Sequence, residues 1–182
     1  MLTHSFEVRD AEVKGRTVVL ACVPYDTPAP VADSNGEPYL EQFTRGAFRN
    51  VVKAPHVVQL LHDHRPGVGF GYARSLTEEP RQLVGEWRIP RSDPGDQLLA
   101  LVGDEQLRGV SVGFVPGEHE QDNVWVSNIL TRRYVRQMPE VSLTPAPVYA
   151  DATVLEVRRR HDIALAKTRE RERWRWRGLT LD

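Results

Sequence analysis

The sequence predicts an α+β protein that is mainly β, and two observations carry the prediction. Within residues 1–157 only two stretches, Gly46–Val52 and Asp93–Leu107, have helical character, and Ser92-Asp93-Pro94 supplies the second with a cap residue and an early proline. Many short stretches instead have the pattern of strands, being rich in β-branched or aromatic residues and bounded by Gly, Pro or Asp. These strands are Ser5–Arg9, Arg16–Val23, His56–Leu61, Gly69–Leu76, Gln82–Ile89, Val110–Val115, Asn123–Val126, Thr131–Gln137 and Val141–Thr144.

The chain of 182 residues is expected to form one compact domain over residues 1–157, followed by a tail over residues 158–182. Within the domain, the Pro- and Gly-rich stretch Asp26–Pro38 is predicted to be a loop. From Arg158 to Arg177 the chain holds nine basic residues against three acidic ones and no Gly or Pro, which predicts a charged C-terminal helix. Two interpretations of this helix stay open, a solvated surface or a tether to an acidic partner or nucleic acid.

The composition excludes several classes of protein. A formal charge of -1 leaves no basic excess to hold nucleic acid, so a dedicated DNA-binding protein is disfavoured outside the tail. No apolar run approaches the ~18 residues of a membrane span, and no signal peptide is evident at the start, so no membrane partner is expected. The single cysteine, Cys22, lies in a stretch with two apolar faces and is predicted to be a buried hydrophobe, in keeping with a reducing cytoplasm.

The first candidate for chemistry is the cluster around His62 and His64, at the end of a predicted strand. If the strand continued, alternation would put both histidines on one face, as a metal site would need, with Asp63, His56 or His119 as further ligands. Alternatively one histidine is a general base, because an unperturbed pKa of ~6.5 suits proton transfer near neutrality. A pair of surface histidines at a turn is the third interpretation.

The second candidate is Ser111, which Gly109 and Gly113 flank on one face of a predicted strand, while the apolar face of Val110, Val112 and Phe114 is expected to enter the core. Another chain could approach its hydroxyl closely, as a nucleophile requires, although two glycines also merely permit close strand packing. Gly-x-Ser-x-Gly also marks the nucleophile elbow of α/β-hydrolases, but no helix follows here. Farther along, Val141 and Leu143 are expected to face the core, and Glu140 and Ser142 to point away from it. Glu140 could orient a histidine, or be an ordinary edge carboxylate.

Four ordered motifs resemble those of the tailed-phage prohead maturation proteases, a family related to the herpesvirus assemblins. Residues 39–48, Tyr-Leu-Glu-Gln-Phe-Thr-Arg-Gly-Ala-Phe, resemble the family's Tyr-x-Glu-x-Phe-x-x-Gly-Ala-Phe segment. Residues 60–64, Leu-Leu-His-Asp-His, resemble its Leu-Leu-x-(Asn/Glu)-His element. Residues 109–114 then resemble its Gly-x-Ser-x-Gly-Phe strand, and residues 140–143 its Glu-Val-Ser-Leu ending. One departure is Arg65, where the family commonly has Asp.

The resemblance implies an assemblin-like β-barrel with surrounding helices, and a serine endopeptidase with no cofactor or metal. His64 would be the general base, Ser111 the nucleophile and Glu140 the third member that orients His64. Donors for the oxyanion would be backbone N–H groups, with Arg132 and Arg133 as further candidates.

The resemblance also implies the partners. The substrate would be the scaffold protein or the scaffold segment of the major capsid protein, cut inside the immature phage shell in the bacterial cytoplasm, together with the protease itself. A homodimer is expected by analogy with the assemblins, and the basic tail would package the enzyme or be trimmed. The alternative functions are a non-catalytic assembly or scaffold-binding protein on the same fold, and a metal-dependent hydrolase built on His62 and His64.

Overall fold

A computed structural model gives the fold and describes residues 2–6, 16–32, 37–67, 69–145 and 154–158. In these ranges the chain forms twelve strands, one α-helix and three single-turn 3₁₀ helices. The strands are β1 (Leu2–Phe6), β2 (Thr17–Pro24), β3 (Ala29–Ala32), β4 (Pro38–Phe43), β5 (Gln59–His62), β6 (Gly69–Glu78), β7 (Gln82–Arg88), β8 (Gly109–Pro116), β9 (Asn123–Val126), β10 (Ile129–Arg132), β11 (Val135–Thr144) and β12 (Val154–Arg158). The helices are α1 (Asp93–Gly103) and the 3₁₀ turns Val51–Lys53, Pro55–Val57 and Glu120–Asp122.

The strands form two sheets. An eight-stranded sheet in the order β1-β8-β11-β5-β6-β7-β2-β12 curls into a half-barrel, and a four-stranded sheet has the order β3-β4-β10-β9. Neighbouring strands are antiparallel except for two parallel pairs, β5 with β11 and β4 with β10. The mainly β class is therefore confirmed. Within the described residues α1 is the one α-helix beside the sheets, and no helix there is long and apolar enough to cross a membrane.

Alternation along β8 and β11 separates the core from a second face. Val110, Val112 and Phe114 on β8 are fully buried, as are Val141 and Leu143 on β11, and all five belong to the main hydrophobic cluster. The predicted core face of both strands is therefore confirmed. The residues between them face the other way, because successive strand side chains point to opposite faces.

The segment that begins at Tyr39 supports the core face of β8. Phe43 packs edge-on against Phe114 with ring centroids 5.1 Å apart, and the Phe48 ring also contacts Phe43, at 5.3 Å between centroids. Glu41 is fully buried and forms an ion pair with Arg132 of β10, 91 residues away. This motif thus builds structure behind the strand that carries Ser111.

The predicted helix over residues 46–52 is wrong. Residues 45–50 form turns, and only Val51–Lys53 continue as a 3₁₀ turn. The reason is tertiary: the Glu78 carboxylate of β6 accepts hydrogen bonds from the backbone N–H groups of Gly46, at 2.9 Å, and Phe48, at 3.2 Å. In addition, Gly46 has φ of 90°, outside the helical region.

The prediction of a continuous loop over residues 26–38 is also wrong, because β3 lies inside it and pairs with β4, itself not predicted. Pro30 lacks an N–H group to donate, and β3 tolerates it as the edge strand of the small sheet.

Other elements also differ from the sequence prediction. The strand predicted over Thr131–Gln137 is interrupted after Arg132, and the gap predicted between residues 137 and 141 is absent. Strand β11 is therefore continuous and accommodates Pro139 through irregular pairing with β8. Helix α1 begins as predicted, with Ser92 Oγ accepting from the Gly95 N–H at 3.3 Å, but it ends at Gly103 instead of residue 107. Strand β12 was not predicted, and the charged helix predicted for residues 158–182 lies outside the described residues after Arg158.

Candidate active site

His64 lies in a tight turn directly after β5. The strand ends at His62, so the two histidines do not share a continuing strand face. Asp63 and His64 both have left-handed backbone conformations, with φ of 48° and 55°. The turn is closed by the Arg65 N–H, which donates to the His62 carbonyl at 3.1 Å, and is tied to β11 by the Asp63 N–H, which donates to the Leu143 carbonyl at 3.0 Å. This turn brings the His64 ring within hydrogen-bonding distance of β11.

Glu140 meets His64 across 76 positions of sequence. The Nδ1 atom of His64 lies 2.7 Å from Oε1 of Glu140, and only 3% of Glu140 is exposed. A carboxylate can only accept hydrogen bonds, so Nδ1 carries the ring proton and donates it. In the neutral imidazole, Nε2 is then the atom with a free lone pair, which is the tautomer that a general base needs.

Ser111 lies on the neighbouring strand and on the same face as Glu140. In the antiparallel pairing of β8 with β11, Ser111 is directly opposite Ser142, and Gly113 is opposite Glu140. Opposed residues have Cα atoms about 4.5–5.5 Å apart and side chains on one face. The glycines that flank Ser111 therefore place no side chain beside it on this face of β8, while Glu140 and Ser142 lie opposite on β11. On the other side of β8, Ser5 of β1 pairs with Ser111.

The hydroxyl of Ser111 has an unusual environment for a buried polar group. The residue is fully buried, and its Oγ atom has no hydrogen-bond partner within the described residues. A buried hydroxyl is ordinarily hydrogen-bonded, because leaving it unpaired costs free energy. Such exceptions are expected where the group is kept for chemistry.

The other candidates are accounted for differently. His62 Nε2 lies 3.4 Å from Asp63 Oδ2, and the described residues contain no group of three His, Cys, Asp or Glu side chains able to hold a metal ion. Cys22 is fully buried, as predicted, and burial raises the pKa of its thiol, so the thiolate needed for nucleophilic attack is disfavoured.

Of the arginines considered as oxyanion donors, Arg132 is engaged elsewhere. Its Nε donates to Glu41 Oε1 at 2.6 Å and its Nη1 to Asn123 Oδ1 at 2.8 Å, with the guanidinium carbon 5.8 Å from the centre of the Phe114 ring. The Arg133 N–H donates to the Asp122 carbonyl at 2.8 Å.

Comparison with known proteins decides the family. Residues 6–167 match the model of the caudovirus prohead serine protease family. The chain belongs to this family. Its role is therefore that of a serine protease in capsid maturation. Among solved structures, the bacteriophage T4 capsid assembly protease gp21 is similar, with 11% identity and a TM-score of 0.44 over 74% of this chain and 99% of that one. No curated protein matches the sequence.

One site residue of the protease was missed from the sequence. Ser142 was assigned to the face of Glu140 but given no role, and in the structure its hydroxyl contacts both Glu140 and the backbone of His64. The i, i+2 spacing of Glu140 and Ser142 was the available signal, since it puts both side chains on one face of a strand.

Proposed function

We propose that the protease cuts peptide bonds with a triad of Ser111, His64 and Glu140, as nucleophile, general base and orienting carboxylate. The observation that supports the proposal most is the 2.7 Å contact between His64 Nδ1 and the buried Glu140 carboxylate. It leaves His64 Nε2 available to accept a proton and holds the ring by the opposite edge. The Ser111 hydroxyl is buried and has no hydrogen-bond partner in the described residues, so it has no structural role that would compete with a role as nucleophile.

The chemistry follows from these positions. Nε2 of His64 takes the Ser111 proton as Oγ attacks the scissile carbonyl, forming a C–O bond and moving the carbonyl π electrons onto oxygen. The carbonyl then reforms, the C–N bond breaks, and the imidazolium gives its proton to the leaving amine. A water molecule, deprotonated by His64, attacks the acyl group and releases the second product with Ser111 restored. Glu140 stabilises the imidazolium in both halves of the reaction.

Membership of the family supports a substrate inside the immature capsid. We propose that the protease cleaves the scaffold protein or the scaffold segment of the major capsid protein, and itself, within the prohead in the host cell.

The test is co-expression of the protease with its neighbouring capsid protein, wild type beside Ser111→Ala, with intact masses of both proteins read by mass spectrometry. We expect truncated products only when Ser111 is present, because the alanine variant has no hydroxyl to form the acyl-enzyme. The exposed strand serine Ser75, changed to alanine, is the matched control and is expected to leave the products unchanged.

The other outcomes separate the alternatives. Identical truncation by the Ser111→Ala variant would show that Ser111 is not the nucleophile and would favour a metal-dependent hydrolase, which a chelator should then inhibit. Absence of truncation in the wild type, both with the capsid protein alone and in assembled proheads, would favour the non-catalytic assembly protein.

We also propose a homodimer, formed through the outer face of the small sheet. In this face the side chains of Pro30, Leu40, Ile129 and Val126 stand directly opposite one another across all four strands, and Leu40 and Val126 are 40% and 47% exposed. The whole face, as far as the structure describes it, contains no charged residue: Pro30, Ala32, Pro38, Leu40, Gln42, Val124, Val126, Ile129 and Thr131.

A second copy of the chain is the partner that fits this face. Its two polar residues are hydrogen-bonded to each other, since Gln42 Nε2 donates to Thr131 Oγ1 at 3.1 Å. An uncharged surface is buried at least cost against another uncharged surface, because a charge left unpaired in an interface costs several kcal/mol. Two copies of one face meet this condition automatically in a twofold dimer.

Leu40→Lys is expected to convert the dimer to a monomer, because it would bury a charge at the centre of the face. Sedimentation velocity measures the result, with circular dichroism to check folding and with Thr77→Lys, on an exposed site of β6, as the control. A monomeric wild type, or a Leu40→Lys variant that remains dimeric, would contradict this assignment.

A further inference from the structure

Ser142 joins the two halves of the His64–Glu140 pair. Its hydroxyl donates a hydrogen bond to Glu140 Oε2 at 2.8 Å and accepts one from the backbone N–H of His64 at 3.0 Å. The residue is fully buried in the middle of the sheet. The hydrogen bond to Glu140 is therefore buried and shielded from competing water, which strengthens it, and the one from His64 is partly buried.

The hydrogen bond from the His64 N–H stabilises an unfavourable backbone conformation at His64. His64 and its neighbour Asp63 both have positive φ angles, 55° and 48°. Residues other than Gly adopt this left-handed region at a cost in free energy. Such conformations persist only where the surroundings hold them. Ser142 supplies a fixed acceptor on β11 for the His64 N–H, in the strand that also carries Glu140.

The hydrogen bond from Ser142 gives the second oxygen of the Glu140 carboxylate a donor. Oε1 accepts from His64 Nδ1 and Oε2 accepts from Ser142, so each oxygen has a donor and rotation about the terminal carboxylate bond would break both contacts. His64 is consequently held at two points, its ring by Glu140 and its backbone by Ser142, and both points lie on one strand, two residues apart.

Two serines face each other across β8 and β11, and their hydrogen bonds distinguish them. The Ser142 proton points to Glu140, whereas Ser111 Oγ has no partner in the described residues. Ser142 is thus placed to orient the base, and Ser111 is left free to react.

We infer that Ser142 is a positioning residue that fixes the orientation of His64 through Glu140 and through the His64 backbone. The inference rests on the proposed function, because it assigns a role toward the same general base. A positioning role predicts that loss of the hydroxyl slows the reaction of Ser111 and leaves substrate binding unchanged. A misplacement of about 1 Å in a catalytic group lowers rates by about 10²-fold.

The experiment compares Ser142→Ala, Ser142→Thr and Ser142→Val. Threonine and valine have nearly the same shape and differ in the hydroxyl, so this pair isolates the hydrogen bonds from packing. Two readouts are used: the rate at which a fluorophosphonate probe labels Ser111, and kcat and KM for a peptide that spans a cleavage site mapped by the co-expression experiment. Thermal melting shows which variants are folded.

We expect Ser142→Ala and Ser142→Val to be labelled about 10²-fold more slowly than the wild type, with kcat lowered and KM within about twofold. Ser142→Thr should regain most of the rate. The inference would be overturned if alanine and valine variants reacted at the wild-type rate, or if threonine and valine variants, both folded, were equally slow. If the alanine variant does not fold, the threonine–valine comparison decides.

Failure of the proposed function gives a different result. The wild type and Ser111→Ala would then be labelled alike, whatever happens at Ser142. Labelling that requires Ser111 but is unchanged by substitution of Ser142 would support the triad and contradict only the positioning role of Ser142.

Discussion

Alanine at both Ser111 and His64 is expected to lower kcat no further than alanine at either position alone. Each single change should lower kcat by about 10⁶-fold, because the nucleophile and the base act as one unit and neither supports the reaction without the other. His64 has no proton to accept once Ser111 is gone, and a serine hydroxyl is a weak nucleophile without a base. Residual cleavage in all three variants would come from substrate binding and oxyanion stabilisation alone.

Single-turnover cleavage of a peptide with a mapped site measures these rates, at enzyme concentrations above KM. His56→Ala and Ser75→Ala are the matched controls, since both residues lie outside the proposed triad, and both should retain wild-type kcat. Losses that multiply in the double variant would show independent roles for Ser111 and His64, contrary to the triad.

Glu140→Gln is expected to lower kcat by about 10⁴-fold while the protein remains folded. If the glutamine oxygen faces His64, its amide nitrogen faces Ser142, whose own proton then has no acceptor there. If the amide is flipped, its N–H group faces His64 Nδ1 and forces the ring proton onto Nε2. In that tautomer Nε2 cannot take the proton of Ser111, so the base is disabled although the shape of the site is preserved.

The measurement is kcat and KM for the same peptide, together with the proton NMR resonance of the His64 Nδ1–H group, which its hydrogen bond to a carboxylate shifts downfield. Glu140→Gln should lose this resonance and keep the wild-type KM. Glu118→Gln, at an exposed carboxylate paired with Arg136, is the control and should change neither. A Glu140→Gln variant with wild-type kcat would show that another group orients His64.

The sequence was sufficient where the signal is local. Alternation along residues 109–114 and 140–143 predicted which side chains of β8 and β11 enter the core, because the direction of a strand side chain depends only on its position along the strand. The same alternation placed Ser111, Glu140 and Ser142 away from the core. The prediction failed at residues 46–52, where local helical character was overridden by a carboxylate on β6 that accepts two of the segment's N–H groups.

The hydrogen bonds of the site could not be predicted in this way. His64 and Glu140 are separated by 76 residues, and they meet because β5 lies parallel beside β11 with His62 opposite Leu143. No local pattern specifies this pairing, since a parallel neighbour is reached only through a long crossover. The left-handed turn at Asp63 and His64 could not be predicted either: Asp and His are enriched in this conformation, but only a few per cent of non-Gly residues adopt it, so the residue types alone do not locate the turn.

The sequence by itself thus determined a mainly β chain, the buried faces of its strands, and four ordered motifs that name three residues for the chemistry. Only the tertiary structure decided that β8, β11 and β5 lie side by side, that Glu140 accepts from His64, and that Ser142 holds both. The physical reason is range: strand periodicity is a property of adjacent residues, whereas strand register and the hydrogen bonds of a buried carboxylate depend on residues brought together by the closure of long loops.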